Sequence, residues 1–184
     1  MSARLQYGPT AKVLHWSVVS LLLIQYLIGW FMPDIHGGMS PGVPMTFHIS
    51  IGMAILVIMA FRFAWRLMHP VAPESSLPAY QHLSSEAVHW LLYILVLLTT
   101  LSGWVFASAR GWRIDWFYLF RLPMLTSQNR GLLKAIDGWH QVLEWSLLVI
   151  VVVHVSAAFI HLYHYRDGVM RRMLFKELIW PTRK

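Results

Sequence analysis

Four long apolar segments constrain the fold of this chain more than any other feature of its 184 residues. A helix needs about 20 apolar residues to cross the hydrocarbon core of a bilayer. Two of the segments contain no charged residue, one carries two arginines near its end, and one carries a single acid, Glu144. They cover residues 13–32, 47–67, 87–109 and 139–165. The sequence therefore predicts an all-α membrane protein, a four-transmembrane-helix bundle that forms a single domain over residues 1–184.

The composition agrees with a protein that lies in a lipid bilayer, and it limits the residues that could bind a metal or cofactor. Charged residues make up 12% of the chain, whereas soluble domains carry about 25%. The first apolar segment is long enough to remain as a span, so we expect no cleaved signal peptide. We also expect Thr10 to cap the first helix.

Cysteine is absent, which excludes disulfides, iron–sulfur clusters and covalently attached haem. Any metal must therefore be held by other ligands, of which the ten histidines are the main candidates.

The basic residues predict the orientation of the chain. Ten of them precede the first span, end the second or follow the fourth, and five lie in the third connection. Short cytoplasmic loops carry an excess of lysine and arginine, so both termini and the second connection are expected to be cytoplasmic. No nucleic-acid partner is expected. The ten basic residues on the expected cytoplasmic side are Arg4, Lys12, Arg62, Arg66, Arg166, Arg171, Arg172, Lys176, Arg183 and Lys184.

Four histidines pair by depth in the membrane. His140 and His154 are 14 residues apart, which places them within about 40° of the same helix face and about 21 Å apart along the axis. His48 opens the second span on the outer side, and His15 lies on the cytoplasmic side of the first. Opposed imidazoles on facing helices are what bis-histidine ligation of haem requires. This layout predicts two b-type haems, with a single haem or a histidine proton relay as the alternatives.

Three further residues lie close to the expected haem levels. Gly52, one turn after His48, leaves room for a flat ring between helices. Arg62 is 14 residues after His48, so it shares that face at the cytoplasmic level, where a guanidinium could bind a haem propionate; an interfacial arginine that reaches towards water is the alternative. His89 begins the third span on the cytoplasmic side and could compete with His15, but because it lies close to the interface we expect it to be hydrated or hydrogen-bonded rather than a ligand.

Several stretches of the sequence resemble the bacterial cytochrome b-561 family. They are VLHWSVV in the first span, FHISIGMAILVIMAFRFAWR in the second, RGWRIDWFYLFRLP in the third connection, and GWHQVLEW with VVVHVSAAFIHLYHY in the fourth span. The resemblance covers almost the whole chain. It implies a multi-pass cytochrome of the bacterial inner membrane in which two haem b irons are bound by axial ligands. The ligands implied are His15, His48, His140 and His154.

The resemblance also implies a function. The best-matched family members are superoxide oxidases, oxidoreductases that take electrons from superoxide on the outer side of the membrane and pass them to ubiquinone. Larger relatives anchor dehydrogenases, so a haem b subunit that passes electrons between a partner dehydrogenase and the quinone pool is the alternative. A third hypothesis is a haem-free conduit for protons or metal ions, lined by histidines. Only the first hypothesis makes the chain an enzyme by itself.

His161 and Glu144 are the remaining ionisable residues of interest in the fourth span. His161 lies seven residues after His154, two turns along the same face, and points from the inner level towards the cytoplasm. A histidine there could hydrogen-bond a quinone carbonyl and deliver a proton; an interfacial histidine without a role is the alternative. Glu144, one turn below His140, could relay protons or orient a ligand, and the sequence does not decide between these roles.

The five basic residues of the third connection depart from the usual charge pattern. Against two acids, Asp115 and Asp137, they leave a local charge of +3. Superoxide is a small anion, and a positive surface raises the rate at which anions arrive. We therefore expect Arg110 and Arg113 to steer superoxide to the outer haem; pairing with lipid phosphates or with the two acids is the alternative. The five residues are Arg110, Arg113, Arg121, Arg130 and Lys134.

Overall fold

A computed structural model describes residues 6–33, 40–72, 78–136 and 138–175. The helices are α1 (Pro9–Phe31), α2 (Val43–Met68), α3 (Ala79–Ala109), the short α4 (Arg130–Ile136) and α5 (Trp139–Ile160), which continues as a π-helix (His161–Tyr165). A single 3-10 turn follows (Arg171–Met173). Of the residues named above, five lie outside the described part of the chain: Arg4, Asp137, Lys176, Arg183 and Lys184.

Four of these helices are long and apolar enough to cross a membrane, which confirms the prediction of a four-helix membrane bundle. The first three begin earlier than the apolar segments because prolines start them. Pro9 and Pro44 lie in the first turns of α1 and α2, and Pro78 immediately precedes α3. Proline favours a helix start because its fixed φ suits the first turn and its missing N–H needs no partner there. The prediction that Thr10 caps α1 is wrong: the N-cap is Gly8, and no side chain caps this helix.

The bundle is arranged so that neighbouring helices in the sequence pack on each other. Extensive backbone contacts join α1 to α2, α2 to α3, and α3 to α5, whereas the described residues of α5 make few such contacts with α1 or α2 and reach them mainly through side chains such as Leu147. A small apolar core lies at mid-depth, and many other apolar side chains face outward, including Phe31, which is 83% exposed. Outward apolar side chains are expected where lipid is the solvent. The core residues are Val18, Ile51, Ile55, Met59, Leu95, Val96 and Leu147.

At one end of the bundle, which we call the outer end, a β-hairpin closes over α2. Strands β1 (Asp115–Trp116) and β2 (Phe120–Arg121) pair antiparallel, joined by a turn in which Phe117 and Tyr118 both have positive φ. Positive φ is uncommon for aromatic residues, so contacts must hold this turn. The indole of Trp116 donates to the Ser50 carbonyl at 3.1 Å, and the backbone N–H of Phe117 donates to the Ser50 hydroxyl at 2.9 Å.

The opposite end, which we call the inner end, is where α1 begins and α5 finishes. After the π-helix, residues 166–175 fold back across this end; we call them the inner strap. The Trp16 indole donates to the Met173 carbonyl at 3.0 Å, and the Lys12 ammonium donates to the Leu174 carbonyl at 2.5 Å. These two contacts attach the strap to the first two turns of α1.

Candidate functional site

The outer pair of histidines lies between α2 and α5. The ring centroids of His48 and His140 are 6.2 Å apart, with an angle of 77° between the ring planes. A metal bound about 2 Å from one nitrogen of each ring would place the two centroids about 6 Å apart. The separation therefore suits a metal atom held between the two imidazoles.

Two residues of α3 hold the His140 ring. The Ser102 hydroxyl donates to the Thr99 carbonyl at 2.8 Å and lies 3.0 Å from His140 Nδ1. Because its one hydrogen is used, Ser102 accepts a bond from Nδ1–H, which leaves the Nε2 lone pair available for a metal. A Cβ on Gly103 would lie only 3.0 Å from His140 Cε1, so only glycine leaves the ring undisturbed. Sequence reasoning missed both residues, although a Ser–Gly pair within an apolar helix is a signal of close packing.

The His48 ring faces Gly29 of α1, and its backbone carbonyl is bonded to Gln25, which packs against Gly52. A Cβ on Gly29 of α1 would lie 3.8 Å from His48 Cε1, an ordinary contact distance. The Gln25 amide donates to the His48 carbonyl at 3.0 Å, and a Cβ on Gly52 would lie 3.5 Å from that amide nitrogen. His48 Nδ1 is buried and has no hydrogen-bond partner among the described residues. Gly52 lies one turn from His48, and its missing side chain lets α1 approach α2; its role beside a haem stays a prediction.

A cavity of about 370 Å³ contains the outer pair. Small-molecule and cofactor sites usually measure about 300–1,000 Å³ and are lined mainly by apolar groups with a few polar ones. Gly52 and Gly103 line this cavity, together with His48, His140 and Glu144. The size of the cavity and its glycines fit a flat macrocycle, which His48 and His140 would hold through its iron.

Glu144 is part of the cavity wall, one turn from His140. Its backbone carbonyl accepts a bond from the Tyr26 hydroxyl at 2.8 Å, which connects α5 to α1 at this level. Glu144 is thus a residue that would lie beside a group bound in the cavity.

The inner pair lies between α1 and α5. The centroids of His15 and His154 are 6.3 Å apart with an angle of 76° between the planes, almost the same geometry as the outer pair. Arg62 Nη1 donates to His15 Nδ1 at 2.6 Å, and Arg62 Nε donates to the Tyr93 hydroxyl at 3.2 Å. The guanidinium therefore lies beside the inner pair, at the level that the 14-residue spacing from His48 predicts.

His89 of α3 joins the inner pair more closely than its place in the sequence indicates. Its ring centroid is 5.3 Å from that of His154. Its Nδ1–H donates to the Ser85 carbonyl at 2.6 Å, so it has the hydrogen-bonded role that we expected. The same bond leaves Nε2 of His89 free to accept a hydrogen bond or to bind a metal, which makes it the competitor of His15.

The cations of the outer loop have different surroundings. The Arg110 guanidinium carbon lies 4.8 Å from the Phe106 ring centroid and 4.9 Å from that of Trp112. Both rings line the cavity of the outer pair, so Arg110 lies at its rim. Arg121 is paired with Asp115 at 3.3 Å. The side chains of Arg113, Arg130 and Lys134 are exposed.

His161 lies at the inner end, in the first position of the π-helix. Its Nδ1 is 2.5 Å from Asp167 Oδ2, and both side chains are largely buried. Sequence reasoning proposed His161 but missed Asp167, because the return of the chain after a π-helix has no simple sequence signal.

Comparison with known proteins places this architecture in a family. The model of the prokaryotic cytochrome b561 family matches residues 6–176. The chain is 27% identical to cytochrome b561 homolog 2 of Escherichia coli K12 over 176 residues, which is 93% of this chain and 92% of that one. It is 27% identical to a probable superoxide oxidase, CybB, of Yersinia pestis over 169 residues, 89% and 93% of the two chains. It is 24% identical to cytochrome b562 of Cereibacter sphaeroides over 166 residues, 88% and 90% of the two chains. The chain therefore belongs to the prokaryotic cytochrome b561 family, whose members are four-helix membrane bundles that bind b-type haem.

Proposed function

We propose that this chain, as one four-helix domain, transfers electrons from superoxide at the outer end to ubiquinone at the inner end. The observation that carries the proposal is the presence of two histidine pairs of nearly equal geometry, 6.2 Å and 6.3 Å between centroids, with one member of each on α5. In this proposal His48 and His140 hold one haem b, and His15 and His154 hold the other. Bound in this way, haem supplies a one-electron redox centre at each level. The name of the Yersinia relative supports the choice of superoxide as electron donor.

The residues around each pair support binding and orientation. Ser102 fixes the His140 tautomer, and Gly52 and Gly103 leave space for a flat ring. Because the Arg62 guanidinium donates to His15 Nδ1, the neutral His15 ring carries its hydrogen on Nε2, and this bond would have to break before His15 could bind iron. Arg62 would then turn to a haem propionate, a carboxylate that a guanidinium binds well. The protein thus contributes fixed imidazoles, an apolar cavity and a cation for the acidic edge of the haem.

The outer loop supports the use of an anion as electron donor. Arg110 contacts two aromatic rings that line the cavity, and Arg113, three residues later in the sequence, is exposed. Their charge would concentrate superoxide near the outer pair and raise its arrival rate by about tenfold or more. No bond to the arginines is needed for the electron to leave superoxide as oxygen is released.

Quinone reduction is assigned to the inner end, where His161 lies two turns beyond His154. Two superoxide ions supply two electrons, and reduction of one quinone to quinol also takes up two protons. His161 would hydrogen-bond a quinone carbonyl and supply one of them from the cytoplasmic side. The inner end would then face the cytoplasm and the outer end the periplasm, as the basic residues of α1, α2 and the inner strap suggest.

The test uses purified protein without any partner chain. Superoxide generated enzymatically should reduce the haem, and added ubiquinone should re-oxidise it. Both changes are followed by the haem absorption bands. Superoxide dismutase should abolish the reduction, which serves as the control for other reductants. Haem that superoxide leaves oxidised, but that a chemical reductant still reduces, would contradict the proposal.

One observation favours a second function, that of an electron-transfer anchor for a partner dehydrogenase. The tip of the outer hairpin exposes Leu119 and Phe120, which are 74% and 54% exposed. An exposed apolar tip beyond the helices is a surface that a partner subunit could cover. This function predicts haem reduction only when the partner is present, so the same superoxide experiment separates the two.

A further inference from the structure

His161 and Asp167 form a carboxylate–imidazole pair at the inner end. His161 Nδ1 lies 2.5 Å from Asp167 Oδ2, and the two side chains are only 16% and 12% exposed. Such a short contact between largely buried groups is unlike the exposed ion pairs that contribute little to a protein. The pair belongs to neither histidine pair described above.

The local backbone brings the two residues together. The π-helix ends at Tyr165, and Arg166 takes a left-handed conformation, with φ 55° and ψ 32°. This turn reverses the chain, so that the Asp167 N–H donates to the His161 carbonyl at 3.3 Å. Single π-turns within α-helices occur frequently at functional sites. The left-handed conformation of a non-glycine residue directly after such a turn adds backbone strain, which contacts in the rest of the fold must offset.

Asp167 itself is held by the strap. Its Oδ1 accepts a bond from the Val169 N–H at 3.0 Å, while Oδ2 faces His161, so both carboxylate oxygens are engaged. Further along, the strap is attached to α1 through Trp16 and Lys12. The carboxylate is therefore fixed relative to the helix that carries His15.

The chemistry of this contact has one consequence for the ring. An ionised carboxylate only accepts hydrogen bonds, so Nδ1 of His161 must carry the proton that they share. The tautomer and the orientation of the ring are then set, and Nε2 is the nitrogen that can exchange a proton with a ligand. A carboxylate in this position also stabilises the positive charge of the ring while Nε2 holds a second proton, as in the histidine–aspartate pairs of hydrolases.

We propose that Asp167 is a positioning residue that orients His161 for proton delivery to a quinone carbonyl; the inference rests on the quinone reduction proposed above. In the step, the Nε2–H bond of the doubly protonated ring breaks as an O–H bond forms on the quinone oxygen. Two superoxide ions, oxidised to oxygen, supply the two electrons. Nδ1–H stays bonded to Asp167, and Nε2 regains its proton from cytoplasmic water, which also supplies the second proton of the quinol.

The experiment isolates the quinone half of the reaction. Haem-loaded protein in lipid nanodiscs is reduced anaerobically with dithionite and mixed with a short-chain ubiquinone, and haem re-oxidation is followed by stopped-flow absorbance. The variants are Asp167→Asn, Asp167→Glu, His161→Gln and the Asn/Gln double variant. His164→Gln and Glu86→Gln are matched controls, since they remove an exposed histidine of the same π-helix and an exposed carboxylate near the inner end of α3.

We expect Asp167→Asn to slow re-oxidation at saturating quinone by about tenfold or more, in the range seen when a group that orients a histidine is removed. The quinone concentration at half-maximal rate should not change, Asp167→Glu should recover part of the rate, and the double variant should be no slower than His161→Gln. Both controls should behave as the unsubstituted protein. Haem content and thermal unfolding of Asp167→Asn should also be unchanged.

The outcomes separate the inference from the function on which it rests. If His161→Gln is slow and Asp167→Asn is not, the positioning role is overturned while quinone reduction at the inner end stands. If Asp167→Asn loses haem or unfolds at lower temperature, the pair is structural and the inference fails. If His161→Gln re-oxidises normally, the proposed role of His161 fails, and the inference fails with it.

Discussion

The imidazoles of His48 on α2 and His140 on α5 face each other with their centroids 6.2 Å apart, although few backbone contacts join the described residues of these two helices. The inner histidines, on α1 and α5, show the same combination of near rings and spaced helices. The helices with extensive backbone contacts are thus not the helices that share these two histidine pairs. At the outer pair, the helices enclose the cavity of about 370 Å³.

The outer pair should bind its haem independently of the inner pair. We expect His48→Ala and His140→Ala each to halve the haem content and to remove one set of redox and absorption signals, because the two levels are about 21 Å apart along α5. Pyridine haemochrome assays and redox titration measure this. His69→Ala, which removes a ring stacked on Trp65 outside the two pairs, is the control and should keep full haem content.

The inner pair offers a choice between His15 and His89 as the partner of His154. The 6.3 Å separation from His15 matches that of the outer pair, whereas His89 is closer, at 5.3 Å. We expect His15→Ala to remove the inner haem and His89→Ala to retain it, by the same haem assay. Loss of haem in His89→Ala with retention in His15→Ala would reverse the assignment.

Two glycines test how tightly the outer pair is packed. A methyl group on Gly103 would lie 3.0 Å from the His140 ring, and one on Gly29 would lie 3.8 Å from the His48 ring. Contacts near 3 Å force a shift of the ring, and filling a packed site typically costs about 1–3 kcal/mol. Gly103→Ala should therefore weaken or abolish binding of the outer haem, while Gly29→Ala, the matched control, should retain it. Equal haem retention in both variants would show that the His140 ring can move freely.

Superoxide capture should depend on ionic strength. Salt screens charges beyond about 8–10 Å at physiological concentration, so the rate of haem reduction by superoxide should fall as salt rises. Replacing Arg110 and Arg113 together by serine should lower the rate at low salt and flatten this dependence. The control is the pair Arg121→Gln and Asp115→Asn, which removes an ion pair without changing the net charge. A salt-independent rate would mean that the outer cations do not steer the substrate.

The outer hairpin should lose one of its two hydrogen bonds to Ser50 when the Ser50 hydroxyl is removed. Ser50 is fully buried, and its oxygen accepts the Phe117 N–H at 2.9 Å. Leaving that N–H without a partner costs about 1–3 kcal/mol. Ser50→Ala should lower the unfolding temperature in detergent and speed proteolysis of the hairpin. In Ser146→Ala, which removes only an exposed bond within α5, both should be unchanged.

How far the sequence could predict this molecule depended on the range of the interactions involved. Length and apolar character predicted the membrane helices, because a bilayer fixes the length of a span. The helical repeat placed His140 and His154 on one face, because helix geometry is local. The sequence indicated that His89 could compete with His15 at the inner level, but it did not predict the contact of His89 with His154, since depth in the membrane does not determine which helices are side by side. The bonds of Ser50 to the hairpin join residues far apart in sequence and leave no local pattern.

Because α5 supplies one histidine to each pair, the covalent chain itself sets the vertical spacing between the two levels. The 14 residues of hydrogen-bonded helix between His140 and His154 fix the axial distance between the two imidazoles on α5, whatever the positions of their partners on α1 and α2. An inserted or deleted residue between His140 and His154 would rotate one imidazole by about 100° away from its partner. Evolution of this segment can therefore change its side chains but not its length.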